Sequence, residues 1–242
     1  AALRWRLGAG ELPSLAAIPA GIENTNYLAV TAERQLVITV FERLSRSELP
    51  FYLGLMEHLA LRGLPVPRPL AADSGELTHT LSGKPAAVTL RLPGAPQLTP
   101  TPLQSERVAQ TLAQLHVAGR DYARQQPNPR GLAFWEASVP WLAPLLPQAS
   151  RALLTSELVF QQQLAASTAY TALPRGATHG DLFRDNVLFE NDRLTGLLDF
   201  YFAATDSVSG GELWRFDGET ASRVADIAPN NLASDPAGFV IF

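Results

Sequence analysis

Apolar and polar positions alternate in short runs through the first 92 residues. Asn26–Thr31 and Leu36–Phe41 are rich in Val, Ile, Leu, Tyr and Thr, and the polar Ala32–Gln35 between them predicts a β-hairpin. Tyr52, Leu55, Met56 and Leu59 then fall at the i, i+3, i+4, i+7 spacing of an amphipathic helix. Ser47 is the expected N-cap, which puts Pro50 in the tolerant first turn, and Gly63 is the stop. Pro65, Pro67 and Pro69 dictate an extended connector. Leu77–Leu81 and Ala86–Leu92 flank Ser82-Gly83-Lys84-Pro85 and predict a second hairpin.

After Pro93-Gly94 the pattern changes, and Pro96, Pro100 and Pro102 thicken the break into a linker. Thr101 is placed to cap a helix that begins at Pro102, carries the stripe Val108, Leu112, Leu115 and closes at Gly119. A Pro-interrupted stretch follows, with Phe134, Trp135 and Trp141. A further helix is expected over Arg151–Ala165, where Leu154 and Leu158 sit one turn apart. Val187–Phe189 and Leu194–Leu198 read as two short strands turned by Asn191-Asp192. The architecture is a strand-rich small lobe, a Pro/Gly hinge and a larger helical lobe, with the cleft between them as the ligand site.

Composition narrows the function classes. Of 242 residues 46% are apolar, enough for an ordinary core. Nineteen basic residues against 23 acidic ones leave −4, which argues against a nucleic-acid or anionic-membrane partner. No stretch reaches the ~20 apolar residues of a membrane-spanning helix, and Ala1–Gly10 lacks the apolar core of a signal peptide. A soluble, cytoplasmic chain is expected. Without Cys there are no disulfides, thiolate zinc sites or cysteine nucleophiles. Lys84 is the only lysine, so any lysine-dependent step must use it.

The densest polar cluster runs from Thr178 to Phe189 and contains His179, Asp181, Arg184 and Asn186; Asp199-Phe200 follows after the short hairpin. The spacing His-x-Asp-x-x-x-x-Asn, then an Asp, matches a kinase catalytic loop and its metal-binding acid. Asp181 would accept the proton of a substrate hydroxyl and orient its oxygen. Asn186 and Asp199 would offer hard oxygen ligands to Mg²⁺. The same residues also fit a polar turn between strands, with Asp181 and Asp199 as caps, but three matched elements at one set of spacings favour phosphoryl transfer. Arg184 would either stabilise the transferring phosphoryl group or pair with a neighbouring acid, and His179 would buttress the loop. His116, near the end of its helix, reads as a packed histidine.

His179-Gly-Asp-x-x-x-x-Asn with Asp199 resembles the aminoglycoside phosphotransferase and choline kinase superfamily. Gly21-Ile22-Glu23-Asn24-Thr25-Asn26-Tyr27, Glu48-Leu49-Pro50-Phe51-Tyr52 and Gly63-Leu64-Pro65-Val66-Pro67-Arg68-Pro69 are similar to the homoserine kinases within it. So are Gly83-Lys84-Pro85-Ala86, Asn128-Pro129-Arg130-Gly131-Leu132 and Asp181-Leu182-Phe183-Arg184-Asp185-Asn186. The resemblance implies an α+β, two-lobed, protein-kinase-like fold with a strand-rich N-lobe and a mainly helical, truncated C-lobe. It implies ATP and Mg²⁺ as cofactors and L-homoserine as the acceptor, giving O-phospho-L-homoserine for threonine biosynthesis. Its alternatives are another small hydroxyl acceptor (choline, methylthioribose, an aminoglycoside) or a non-catalytic fragment that binds nucleotide without turnover. Gly21, Glu23, Asn24 and Asn26 would line the nucleotide loop, Thr39 would stand near the phosphates, and Leu92 in the hinge would meet the adenine.

Two departures qualify that pattern. The third strand carries Thr39 where such kinases carry a lysine. The similarity also fades near Asp206, so the expected division is a nucleotide-binding lobe over 1–92, an incomplete catalytic lobe over 93–209 and an unrelated tail over 210–242. Gly210-Gly211-Glu212-Leu213-Trp214 through Asp217-Gly218 resembles one repeat of a β-propeller type, which cannot stack alone.

Overall fold

The computed structural model describes residues 14–19, 24–173 and 175–198, with backbone alone for the strands at 213–216 and 221–225. Five strands build one antiparallel sheet: β1 (Ser14–Ile18), β2 (Asn24–Val30), β3 (Gln35–Phe41), β4 (His79–Leu81) and β5 (Lys84–Leu90), in the order β1-β2-β3-β5-β4. The alternation of β3 is what makes it central. Leu36 and Ile38 point with Ala29 and Val88 into one core cluster, closed by Tyr27, Leu70, Leu81 and Leu90. On the other face Ala87 meets Leu49 and Leu53 of α1 (Leu49–Leu61), with Phe41, Leu44, Met56 and Leu77 around them. Leu49, Leu53, Leu55 and Leu59 are all at most 2% exposed. Each such burial stabilises by roughly 1.5–3 kcal/mol.

Details differ from the sequence expectation for physical reasons. Glu48, not Ser47, sits at the N-cap of α1, because a cap at Ser47 would need the N–H that Pro50 lacks. The Glu48 carboxylate instead turns back to accept from the backbone N–H and hydroxyl of Ser45, at 2.8 and 2.6 Å. The second hairpin is tighter than expected. Ser82 and Gly83 both have positive φ (49° and 83°), the two-residue turn that suits twisted strands, so Lys84 and Pro85 already belong to β5.

α2 (Pro102–Ala118) opens on a capping box, Thr101 accepting from Gln104 N at 3.2 Å while Gln104 Oε1 accepts from Thr101 N at 2.9 Å. The helix ends at Gly119, as expected. Its far end is tied to α1. His58 Nε2 reaches Ala118 O at 2.9 Å, and Arg62 donates to Asp121 Oδ2 at 2.6 Å. Tyr122 donates its hydroxyl to Phe51 O at 2.9 Å and fills the space where a side chain on Gly54 would lie. A cleft of about 540 Å³ runs beside this contact, with Arg46, Glu57, His58 and Arg124 on its walls.

The expected linker after Pro93 is in part a strand. β6 (Ala95–Pro96) pairs with β7 (Val187–Glu190), which pairs with β8 (Arg193–Leu197) through the Asn191-Asp192 turn. Thr195 Oγ1 donates to Pro93 O at 2.7 Å, and Gly94, at φ 97°, backs onto Phe189 O too closely for any Cβ. Gln104 Nε2 donates to Asn191 O at 3.0 Å, fastening α2 to the same hairpin.

Packing divides the described residues into two units: the first takes those up to Arg124 together with 181–198, and the second takes Gln125–Gly180 with the strands at 213–216 and 221–225. The second unit holds α3 (Leu132–Leu142), a 3-10 turn at Ala143–Leu145, α4 (Gln148–Ala166) and the short α5 (Thr168–Thr171). α3 was not expected, because it contains Pro140. That proline lies inside the helix and removes one i→i−4 hydrogen bond, but only Trp141 and Leu142 follow it before the helix ends. Arg151 of α4 donates to the carbonyls of Ala143, Pro144 and Leu146 at 2.9–3.2 Å, satisfying acceptors beyond the end of α3. Leu213–Phe216 (β9) and Ala221–Ala225 (β10) pair antiparallel. Among the described residues no helix is long and apolar enough to cross a membrane.

Candidate active site

The polar cluster of the sequence folds as one tight turn in front of β7. Gly180 adopts φ 70°, a left-handed conformation that reverses the chain between His179 and Asp181. Phe183 N donates to Asp181 O and Asn186 N to Phe183 O, both at 2.9 Å, so Asp181 and Asn186 are brought face to face. Asn186 Nδ2 donates to Asp181 O at 2.8 Å and to Asp181 Oδ2 at 3.1 Å. Asn186 is 7% exposed. With its nitrogen committed to Asp181, the carboxamide oxygen is the atom left to serve as a hard ligand. That oxygen is of the hard type a divalent cation takes.

Asp199 lies outside the described residues. Its neighbour Leu198 donates its N–H to Asn186 O at 2.8 Å, which carries the end of β8 back to the turn. This contact had no signal in the sequence. His179 is 1% exposed. Arg184 is exposed and donates from Nη1 to Leu98 O at 2.8 Å, so part of its guanidinium holds the chain after β6. Leu92 lies over Gly196 of β8, close enough that a Cβ there would strike its Cδ1. A glycine within the Leu194–Leu198 apolar run was the available sign of that close approach.

On the sheet, Gly21 and Glu23 lie outside the described residues, while Asn24, Asn26 and Thr39 share one face. Asn24 pairs with Phe41 and Asn26 with Thr39 in the β2–β3 register. Thr39 Oγ1 donates to Asn26 Oδ1 at 2.8 Å. Lys84, the first residue of β5, pairs its exposed ammonium with Glu42, whose other oxygen accepts from Thr25 Oγ1 at 2.9 Å. The Lys84 ammonium, then the Thr25 hydroxyl, hold the Glu42 carboxyl below its ordinary value. In α2, His116 Nε2 is buried with no hydrogen-bond partner among the described residues. Burial first, and the nearby Arg120 second, push its pKa down.

Residues 14–208 match the phosphotransferase enzyme family. The chain belongs to that family. The chain is 54% identical over 201 residues to a homoserine kinase of Polaromonas naphthalenivorans (strain CJ2), an alignment covering 83% of the chain and 64% of the relative. It is 47% identical over 216 residues to a homoserine kinase of Burkholderia vietnamiensis (strain G4 / LMG 22486), covering 86% of the chain and 63% of that relative. The chain thus spans somewhat less than two thirds of the length of these relatives.

Solved structures similar to the chain include an amicoumacin kinase in complex with AMP-PNP and Ca²⁺. Its TM-score is 0.61 at 14% identity, over 77% of this chain and 58% of that one. A choline kinase from Cryptosporidium parvum Iowa II has a TM-score of 0.54 at 14% identity, over 80% and 59% of the two chains. At these identities the likeness is one of fold, and the fold is kinase-like.

Proposed function

We propose that this phosphotransferase transfers the γ-phosphoryl group of ATP to the hydroxyl of L-homoserine, giving O-phospho-L-homoserine on the way to threonine. The observation that carries the reading is the Asn186 amide donating to the backbone carbonyl and to one carboxylate oxygen of Asp181, in a chain whose relatives at 47–54% identity are homoserine kinases. Asp181 takes the hydroxyl proton and aims the alcohol oxygen in line with the phosphorus. Asn186 restrains the Asp181 carboxylate and, together with Asp199, would hold Mg²⁺. Such an ion bridges the phosphates and neutralises developing charge. His179 supports the turn from its buried position.

In this reading residues 1–92 carry the nucleotide and 93–209 the catalytic turn, while 210–242 stand outside the site. Arg184 contributes to phosphoryl binding with the donors left after its bond to Leu98. Leu92 presents the hinge to adenine, and the reaction, which draws on ATP, belongs in the cytoplasm. The test is Mg-ATP consumption with L-homoserine set against choline, methylthioribose and an aminoglycoside. Turnover with homoserine well above the rest supports the assignment. Equal rates with all four acceptors, or none with homoserine, would overturn it.

A further inference from the structure

A nucleotide's phosphates need donors, and the usual lysine of the third strand is absent here. Thr39 stands in its place. The strand registers show that the chain's single lysine cannot take over from the same face. Val40 pairs with Ala86, so Glu42 and Lys84 lie opposite one another two residues on, and their ion pair agrees with that register. Thr25, which pairs with Val40, bonds to the same Glu42. Thr25, Val40, Glu42 and Lys84 therefore share one face of the sheet. Side chains of a strand alternate, so Asn24, Asn26 and Thr39 occupy the other. That second face is the one on which Phe41 and Ala87 pack against α1.

The Thr39–Asn26 hydrogen bond has a direction. A carboxamide that accepts through Oδ1 has both N–H bonds of its Nδ2 turned away from that acceptor contact. The threonine hydroxyl thus fixes which end of Asn26 is offered to a ligand: the donor end. Asn24 stands two residues along on the same face. We propose that Thr39 is a positioning residue, which orients Asn26 as an uncharged donor to the nucleotide phosphates and so replaces the lysine. The inference rests on the reading of the chain as an ATP-dependent kinase, and it adds a phosphate cradle built from amides in place of a cation.

The test uses calorimetric titration of the full chain with Mg-ADP and, separately, with adenosine, which has no phosphates. Thr39→Val keeps the shape and removes the hydroxyl; Thr39→Ser keeps the hydroxyl. Thr39→Val is expected to lower ADP affinity about tenfold, the effect of mis-setting one donor to a charged group. Its adenosine affinity stays unchanged, and Thr39→Ser restores ADP binding. Asn26→Asp, which can still accept from Thr39 but has no donor, gives at least the same loss for ADP alone. Lys84→Gln leaves ADP affinity as in the parent chain. ADP binding by Thr39→Val equal to the parent's, or equal losses for ADP and adenosine, overturns the proposal. So does a tenfold loss in Lys84→Gln. A parent chain that binds neither ligand removes the kinase reading itself, an outcome distinct from failure of the Thr39 variants alone.

Discussion

Substituting Ala for Gly54 sets two ordinary effects against each other. In an open helical position Ala is favoured over Gly by about 1 kcal/mol. Gly54 is not open. A Cβ there comes within 3.0 Å of the Tyr122 hydroxyl, and that hydroxyl is anchored on Phe51 O at 2.9 Å. Either the helix backbone or the tyrosine must move, and overpacking of this kind costs roughly 1–3 kcal/mol. The net expectation is a loss of about 1 kcal/mol, or about 2–4 °C in Tm for a chain of this size. Tyr122→Phe alone gives up one hydrogen bond, about 0.5–1.5 kcal/mol. It also clears the position, since the next ring atom, Cζ, lies 3.5 Å from the added Cβ, an ordinary contact. In the double variant the helical gain offsets the lost hydrogen bond, and stability returns close to the parent's. Denaturant unfolding of all four proteins should therefore yield a coupling energy of about 2 kcal/mol, with the double variant more stable than additivity allows. A Gly54→Ala protein more stable than the parent, or strictly additive substitutions, would refute the contact assigned between Tyr122 and α1.

Asp181→Asn is expected to reduce kcat by about 10²–10⁴-fold while Mg-ADP affinity measured by calorimetry stays near that of the parent; near-normal turnover would remove Asp181 from the reaction. Gln104→Leu deletes the donor to Asn191 O and the reciprocal half of the Thr101 cap, and should cost roughly 1–3 kcal/mol in urea unfolding. His116 titrates near 6.5 when unfolded but is held lower in the fold, first by burial. Between those two values the unfolded chain binds more protons, so stability falls as the pH drops below about 6.5. His116→Leu should flatten the Tm profile in that window, and parallel profiles for the two proteins would contradict it.

Elements whose signals are local were legible from sequence. α2 is announced by Thr101 and Pro102, which cap and open it as their chemistry suggests, and it ends at Gly119. The Asp181–Asn186 turn was legible for the same reason: five residues of spacing bring the two side chains together without help from the rest of the fold. β1 was missed because Ser-Leu-Ala-Ala-Ile has no β-branched alternation, and it is a strand through its pairing with β2. β6 was missed because Ala95-Pro96 becomes a strand only when Phe189 and Leu188, far along the chain, arrive beside it. α3 was hidden by Pro140, which costs the helix a hydrogen bond two residues before its end and reads locally as a break. The Lys84–Glu42 pair was not legible because its two members lie 42 residues apart and meet only through the sheet register. In the site, the orientation of Asn26 by Thr39 required that same register.

Linkers are where proteins are usually cut, lengthened or fused, and Pro93-Gly94-Ala95-Pro96 has the composition that invites it. Here the invitation misleads. With Pro93 O accepting from Thr195, Gly94 pressed on Phe189 O and Ala95 paired across to the strand that leaves Asn186, an inserted residue would slide β6 out of register against β7. An engineer dividing this protein into complementing halves would find its most linker-like tetrapeptide to be among the least forgiving places to open the chain.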